Sequence, residues 1–167
     1  MFVKWYKHEI ENFITMIFKF IPLDVHLEAD AHLLTSMISL CAEAKDNLGH
    51  PLSDEVKAKL IHLLKKNPHA LAFAGYEEDK AISVLMGFEM FSSWTGKTMF
   101  NIHDLVVLES FRHQGYGSKM IQALEVWAKS KEIEQLTLEV TDDNLLATAF
   151  HHKNGFAKRY NYFAKNI

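Results

Sequence analysis

The chain has 167 residues and a formal charge of −3; 49% of it is hydrophobic and 23% charged. That is enough apolar chain for one domain with a sizeable core, and too much for disorder. The slightly acidic balance gives no electrostatic reason to expect a nucleic-acid partner, and the single cysteine, Cys41, excludes a disulfide-stapled secreted module.

No apolar run approaches the ~20 residues that cross a bilayer, and Glu9, Glu11 and Lys19 interrupt the apolar opening. The reading is a cytoplasmic protein with no membrane partner. Residues 1–15 form an extension with no assigned function, ahead of one domain over 16–167. Met16 to Leu23 predicts a first strand that Pro22 closes. From Leu27 to Lys45, the positions Leu33, Leu34, Met37, Ile38, Cys41 and Ala44 recur at helical spacing, until Gly49-His50-Pro51 breaks the pattern. Cys41 on this helix reads as a small core residue rather than a nucleophile. Ser53 or Asp54 caps a second helix carrying Val56, Leu60, Ile61, Leu63 and Leu64, which Asn67-Pro68 ends.

The period then shortens. Leu71 to Tyr76 and Ala81 to Phe91 predict a β-hairpin about Glu77-Glu78-Asp79-Lys80, and a third strand runs from Thr98 to Leu108 after the turn Thr95-Gly96-Lys97. Gly115 to Lys131 is an amphipathic helix with Met120, Ile121, Leu124, Trp127 and Ala128 on one face. Gln135 to Thr141 alternates as a strand. Asp142 or Asp143 caps a last helix that stops at Gly155, and Phe156 to Ile167 supplies a terminal strand or pair. The fold class is α/β: one mixed, mostly antiparallel sheet flanked by helices.

The strongest local signal is Arg112-His113-Gln114-Gly115-Tyr116-Gly117-Ser118, between an apolar strand and an amphipathic helix. Two glycines at alternate positions let successive N–H groups point at one ligand, and the first turn of the helix adds unsatisfied amides and its dipole. A phosphate or diphosphate suits such a loop. A P-loop is excluded because Ser118 precedes Lys119, and a dinucleotide fingerprint because Met120 stands where the third glycine belongs.

With Leu105-Val106-Val107 before it, Arg112-x-x-Gly115-x-Gly117 resembles the cofactor motif of the GNAT superfamily of acetyl-CoA-dependent N-acetyltransferases. The stretches Asn101 to Arg112, Leu136 to Val140, Asn144 with Ala149-Phe150, and Lys153-Asn154-Gly155-Phe156 are similar to members too. The resemblance implies the single-domain acyl-CoA N-acyltransferase fold over about residues 16–167. It implies acetyl-CoA as cosubstrate, its pantetheine arm along Leu105, Val106 and Val107 and its diphosphate on the amides of His113, Gln114, Gly115, Tyr116, Gly117 and Ser118. Arg112 adds charge, and Asn144 touches the pantetheine. The chain departs from the pattern at His113, where glycine is common, and at Glu109, where proline is frequent.

Acetyl transfer requires a neutral amine, and a lysine-like amine has a pKa near ~10.4, so a base must take a proton. Strand alternation sets His103, Leu105 and Val107 on one face and Asp104, Val106 and Leu108 on the other. His103 stands where relatives that acetylate polyamines have a glutamate, which makes it the candidate base, beside the plainer reading of a strand histidine bonded to a neighbour. His151 stands where the resemblance places a tyrosine acting as acid toward the CoA sulfur. It takes that role as imidazolium, or the role passes to Tyr160, Tyr162 or water. No zinc-like spacing joins His103, His151 and His152, so no metal is expected. The resemblance thus implies an enzyme that acetylates a primary amine of a small molecule or peptide, with a homodimer as a further expectation. Modification of a protein lysine or N-terminus, and an acyl-CoA-binding module without turnover, are the competing readings.

Overall fold

The computed structural model describes residues 18–44, 47–141, 143–159 and 165. Strand β1 (Phe18–Leu23) leads into helices α1 (Glu28–Ala42) and α2 (Asp54–Lys66), followed by β2 (Ala70–Glu77), β3 (Lys80–Phe91) and β4 (Thr98–Val107). A 3-10 turn at Glu109–Phe111 precedes α3 (Tyr116–Ser130), β5 (Gln135–Leu138) and α4 (Leu145–Lys153). The sheet order is β1-β2-β3-β4-β5, antiparallel except for the parallel β4–β5 pair. The opening segment 1–15 and the terminal strand or pair from residue 160 onward fall outside the described residues, and 156–159 form no strand.

Helices cover both faces of the sheet. On one, Leu34 and Met37 of α1 and Leu64 of α2 meet Ala72, Ala74, Val84, Met86 and Val106. On the other, Met120, Ile121 and Leu124 of α3 meet Phe73, Leu85, Phe100 and Ile102. β3 is therefore buried on both sides from Ile82 to Gly87, which explains its nearly continuous apolar sequence. Pro22 lies inside β1 rather than ending it, because an edge strand tolerates the missing donor. Of the two cap candidates for α2, Ser53 acts, accepting from the Val56 amide at 3.3 Å. Asn144, rather than either aspartate, caps α4 by accepting from the Ala147 amide at 3.0 Å.

One irregularity governs the rest. The β3–β4 register steps from Met86↔Asp104 to Gly87↔Ile102, so His103 is an extra residue in β4: a β-bulge. Before it, Phe100 and Ile102 point to the α3 core; after it, Leu105 does so while Val106 enters the α1–α2 core. The simple alternation expected for this strand is thereby corrected. His103 meets Phe88, which packs on the α1–α2 core, at 5.9 Å between ring centroids, and its Nδ1 lies 3.1 Å from Asp104 Oδ2. The two side chains share a face.

Gly87 sits opposite the bulge with no room for a side chain: a Cβ there would overlap the Asn101 carbonyl oxygen and the Phe100 ring. Gly87→Ala is accordingly expected to cost about 2–4 kcal/mol, by overpacking and the loss of the bulge. Chemical denaturation would measure it, and an unchanged midpoint would show that the bulge accommodates a methyl group.

Candidate active site

The bulge opens a cleft. β4 pairs with β5 only from Met99↔Gln135 to Ile102↔Leu138, yet β4 continues on β3 as far as Val107. Over residues 103–107 its other edge has no strand partner among the described residues. This is why β5 ends at Leu138 rather than at Thr141: past the bulge the two strands diverge. Asn101 stitches the strands at the point of divergence, its Nδ2 donating to Thr137 Oγ1 at 3.1 Å and to Glu139 Oε1 at 3.2 Å. Leu105 and Val107 are half-buried and Val106 is buried along the cleft.

At the end of β4 the chain bends into α3 under several constraints. The Leu108 amide donates to Ile82 O at 2.9 Å, and the Arg112 amide to Glu109 O at 3.1 Å. Arg112 Nε donates to Val107 O at 3.1 Å, and Gln114 Nε2 to Ser110 O at 2.8 Å. Glu109 thus fits the 3-10 turn without the frequent proline. Both His113 (φ 62°) and Gly115 (φ 86°) take left-handed backbone conformations. Among the described residues, no acceptor receives the amides of residues 113–118; the Lys119 amide is the next to be used, donating to Gly115 O at 3.0 Å. A row of free donors ending on a helix N-terminus fits an anion such as a diphosphate. Ser118 belongs to this row by its amide.

Tyr116 belongs by its amide alone. Its side chain is buried and turned inward, the hydroxyl bonded to Glu77 and the ring near Phe18 and Phe111, so it anchors α3 to the sheet. Glu77 is thereby occupied structurally. Gly117 faces α4: a Cβ there would stand 3.0 Å from the Phe150 ring, whereas at Gly115 it would meet nothing within 4 Å.

The two candidate proton-handling histidines have opposite environments. The Asp104 hydrogen bond raises the pKa of His103 above the ordinary histidine value; burial opposes this, and the charges of Asp104 and Glu139 add to it. His151 lies between the rings of Phe150 and Phe156, and its buried Nδ1 has no hydrogen-bond partner. Burial, then the His152 charge, lower its pKa. A neutral imidazole results near pH 7, which counts against the imidazolium role expected from sequence. Tyr160 and Tyr162 lie outside the described residues. Asn144 keeps its Nδ2 after capping α4 with Oδ1. Cys41 packs against the α1–α2 core, its thiol pushed up by burial and then by Asp104, as suits a core residue.

Among the described residues no group of three metal-ligating side chains gathers, and no helix is long and apolar enough to cross a membrane. A cavity of about 300 Å³ lined by Leu23, Phe73, Glu89, Trp127 and Lys131 shares no residue with the cleft. From sequence Asp104 reads as structural, holding a loop or the histidine, and the bulge brings it to the side of His103; sequence reasoning passes over Glu139 as part of that environment.

His113 supplies a backbone shape that glycine adopts freely. His113→Gly is expected to leave stability within about 1 kcal/mol of the parent, whereas His113→Val, β-branched at positive φ, should lose about 1–2 kcal/mol or more. Thermal melts of both variants check this, and equal melting would mean that the left-handed turn is not retained in solution.

Comparison with known proteins agrees with this geometry. The model of the Acetyltransferase (GNAT) family matches residues 36–156. An aminoglycoside N(6')-acetyltransferase type 1 of Acinetobacter baumannii is 25% identical over 123 residues, covering 70% of this chain and 84% of its own. The crystal structure of an aminoglycoside acetyltransferase from an uncultured soil metagenomic sample, in complex with sisomicin, aligns with a TM-score of 0.73 at 18% identity, over 90% of this chain and 97% of that one. A ribosomal-protein-alanine N-acetyltransferase from Brucella melitensis gives 0.70 at 13% identity, over 90% and 99%. These two share the fold. The matched family segment starts within α1 and takes in the cleft, the glycine bend and α4, and the chain belongs to the Acetyltransferase (GNAT) family.

Proposed function

We propose that this enzyme moves the acetyl group of acetyl-CoA directly to a primary amine of a small molecule, within a ternary complex. The observation that carries the reading is the unpaired edge of β4 running straight into a row of unused amides. An extended pantetheine arm carries amides of its own and would pair with the backbone of Leu105, Val106 and Val107 as a further strand does. The diphosphate would lie on the amides of His113 to Ser118. Arg112, with Nε held by Val107, has its terminal nitrogens left for charge, and Asn144 has its Nδ2 left for the pantetheine. Bound there, the thioester supplies the acetyl group and a thiolate whose pKa, about 8.5 by analogy with cysteine, makes it a fair leaving group.

His103 takes the proton from the acceptor ammonium, directly or through one water, and Glu139 and Asp104 favour a cation beside it. His151, neutral, acts toward the departing sulfur as a hydrogen-bond donor rather than a proton source. A fixed N–H near Val106 polarises the thioester carbonyl. The name of the A. baumannii relative makes amino sugars of the aminoglycoside kind the first acceptors to test.

The test mixes purified protein and acetyl-CoA with an aminoglycoside, a linear polyamine and a lysine peptide, following thiol release and product mass. Release with the amino sugar is the expected result. kcat/KM should rise with pH through a midpoint above the ordinary histidine value of about 6.5, because the shift at His103 is upward. CoA binding without release on any amine would favour a binding module instead. Gly115→Val should weaken acetyl-CoA at least about tenfold, about 1.4 kcal/mol, with cooperative melting retained. Gly115 is chosen because a side chain at Gly117 would strike Phe150 and disturb α4. Calorimetric titration checks this, and unchanged affinity would remove the cradle.

A further inference from the structure

We propose that Asp104 is a positioning residue for His103, holding the imidazole by Nδ1 so that Nε2 is the atom presented to the acceptor amine. The inference rests on the reading of His103 as base.

Neighbours on a regular strand point to opposite faces and cannot bond through their side chains. Here they do, at 3.1 Å between His103 Nδ1 and Asp104 Oδ2, because His103 is the inserted residue of the bulge. The carboxylate is the inner partner and the ring the outer one: their side chains are 25% and 61% exposed. Phe88 meets the ring edge-on, with 86° between the planes, which limits its rotation. A carboxylate only accepts, so Nδ1 carries the hydrogen in the neutral ring and the Nε2 lone pair is left for the incoming proton. Glu139 is the other charge acting on His103, from the end of β5. Cys41 of α1 lies within the fields of both Asp104 and Arg112. Among the described residues no lysine or arginine forms an ion pair with Asp104, so its carboxylate is available to the histidine.

The amide of Asp104→Asn has nearly the same shape but can donate to Nδ1, which favours the opposite tautomer. The experiment follows the His103 imidazole nitrogens by NMR in the full chain, parent and variant. The parent should show hydrogen on Nδ1 in the neutral ring; the variant should show a lower titration midpoint and hydrogen moved toward Nε2. With the best amine of the panel, kcat in the variant should fall at least about 10-fold, part of the roughly 10²–10⁴-fold that a positioned base contributes, while acetyl-CoA affinity stays unchanged. Asp104→Glu should keep the midpoint near the parent value. In a His103→Gln background Asp104→Asn should cost nothing further. Loss of activity in His103→Gln, combined with a parental midpoint, tautomer and kcat in Asp104→Asn, would overturn the role of Asp104 alone. Normal turnover by His103→Gln would overturn the base reading, and this inference with it.

Discussion

A single surplus residue in β4 sets the geometry of the cleft. With two residues of β4 spanning the space that one step of β3 provides, the strand twists and its far edge parts from β5 after four paired rungs. A regular strand would have extended the parallel pairing past Ile102↔Leu138. The irregularity is tolerated because Gly87 leaves the opposite position bare and because Phe88 and Asn101 secure its two sides. The bulge also turns an alternating pair into an adjacent His–Asp couple.

The bend that follows is held by its own periphery. Arg112 and Gln114 spend side-chain donors on carbonyls within the turn, and Tyr116 buries its ring and bonds Glu77. The backbone amides are left over, all near one another. Unused donors beside a helix dipole favour an anion, which is the basis of the binding role proposed for this loop. Preorganisation of this kind comes from fixing the turn rather than from adding charge; the only guanidinium in the loop has one nitrogen committed to the main chain.

Much of this was legible in the order of residues. The helices showed in the spacing of Leu34, Met37, Met120 and Leu124, and the hairpin in the shorter period around Glu77 to Lys80. The bend showed in Gly115 and Gly117 ahead of an amphipathic run. What escaped was whatever depends on contacts between distant segments. A bulge has no local signature in β4; its necessary partner is a glycine sixteen positions earlier, at Gly87. The end of β5 is set by β4, so Glu139 and Val140 continue an alternation with which, among the described residues, no strand pairs. The choice of Asn144 over Asp143 as cap is a matter of backbone angles at the helix entrance. Tyr116 reads as a loop residue by position and turns out to be a core residue by contact.

The contact between Gly117 and Phe150 joins two parts of the molecule that the chain order keeps apart. The ring rests on the first turn of α3 with no spare room, and its immediate neighbour His151 is wedged against it and Phe156. α4 therefore registers any rigid-body shift of that turn as a push on a side chain adjoining His151. The glycine bend and the buried His151 thus share a mechanical link through the Phe150 ring, and the geometry at one sets the tolerance at the other.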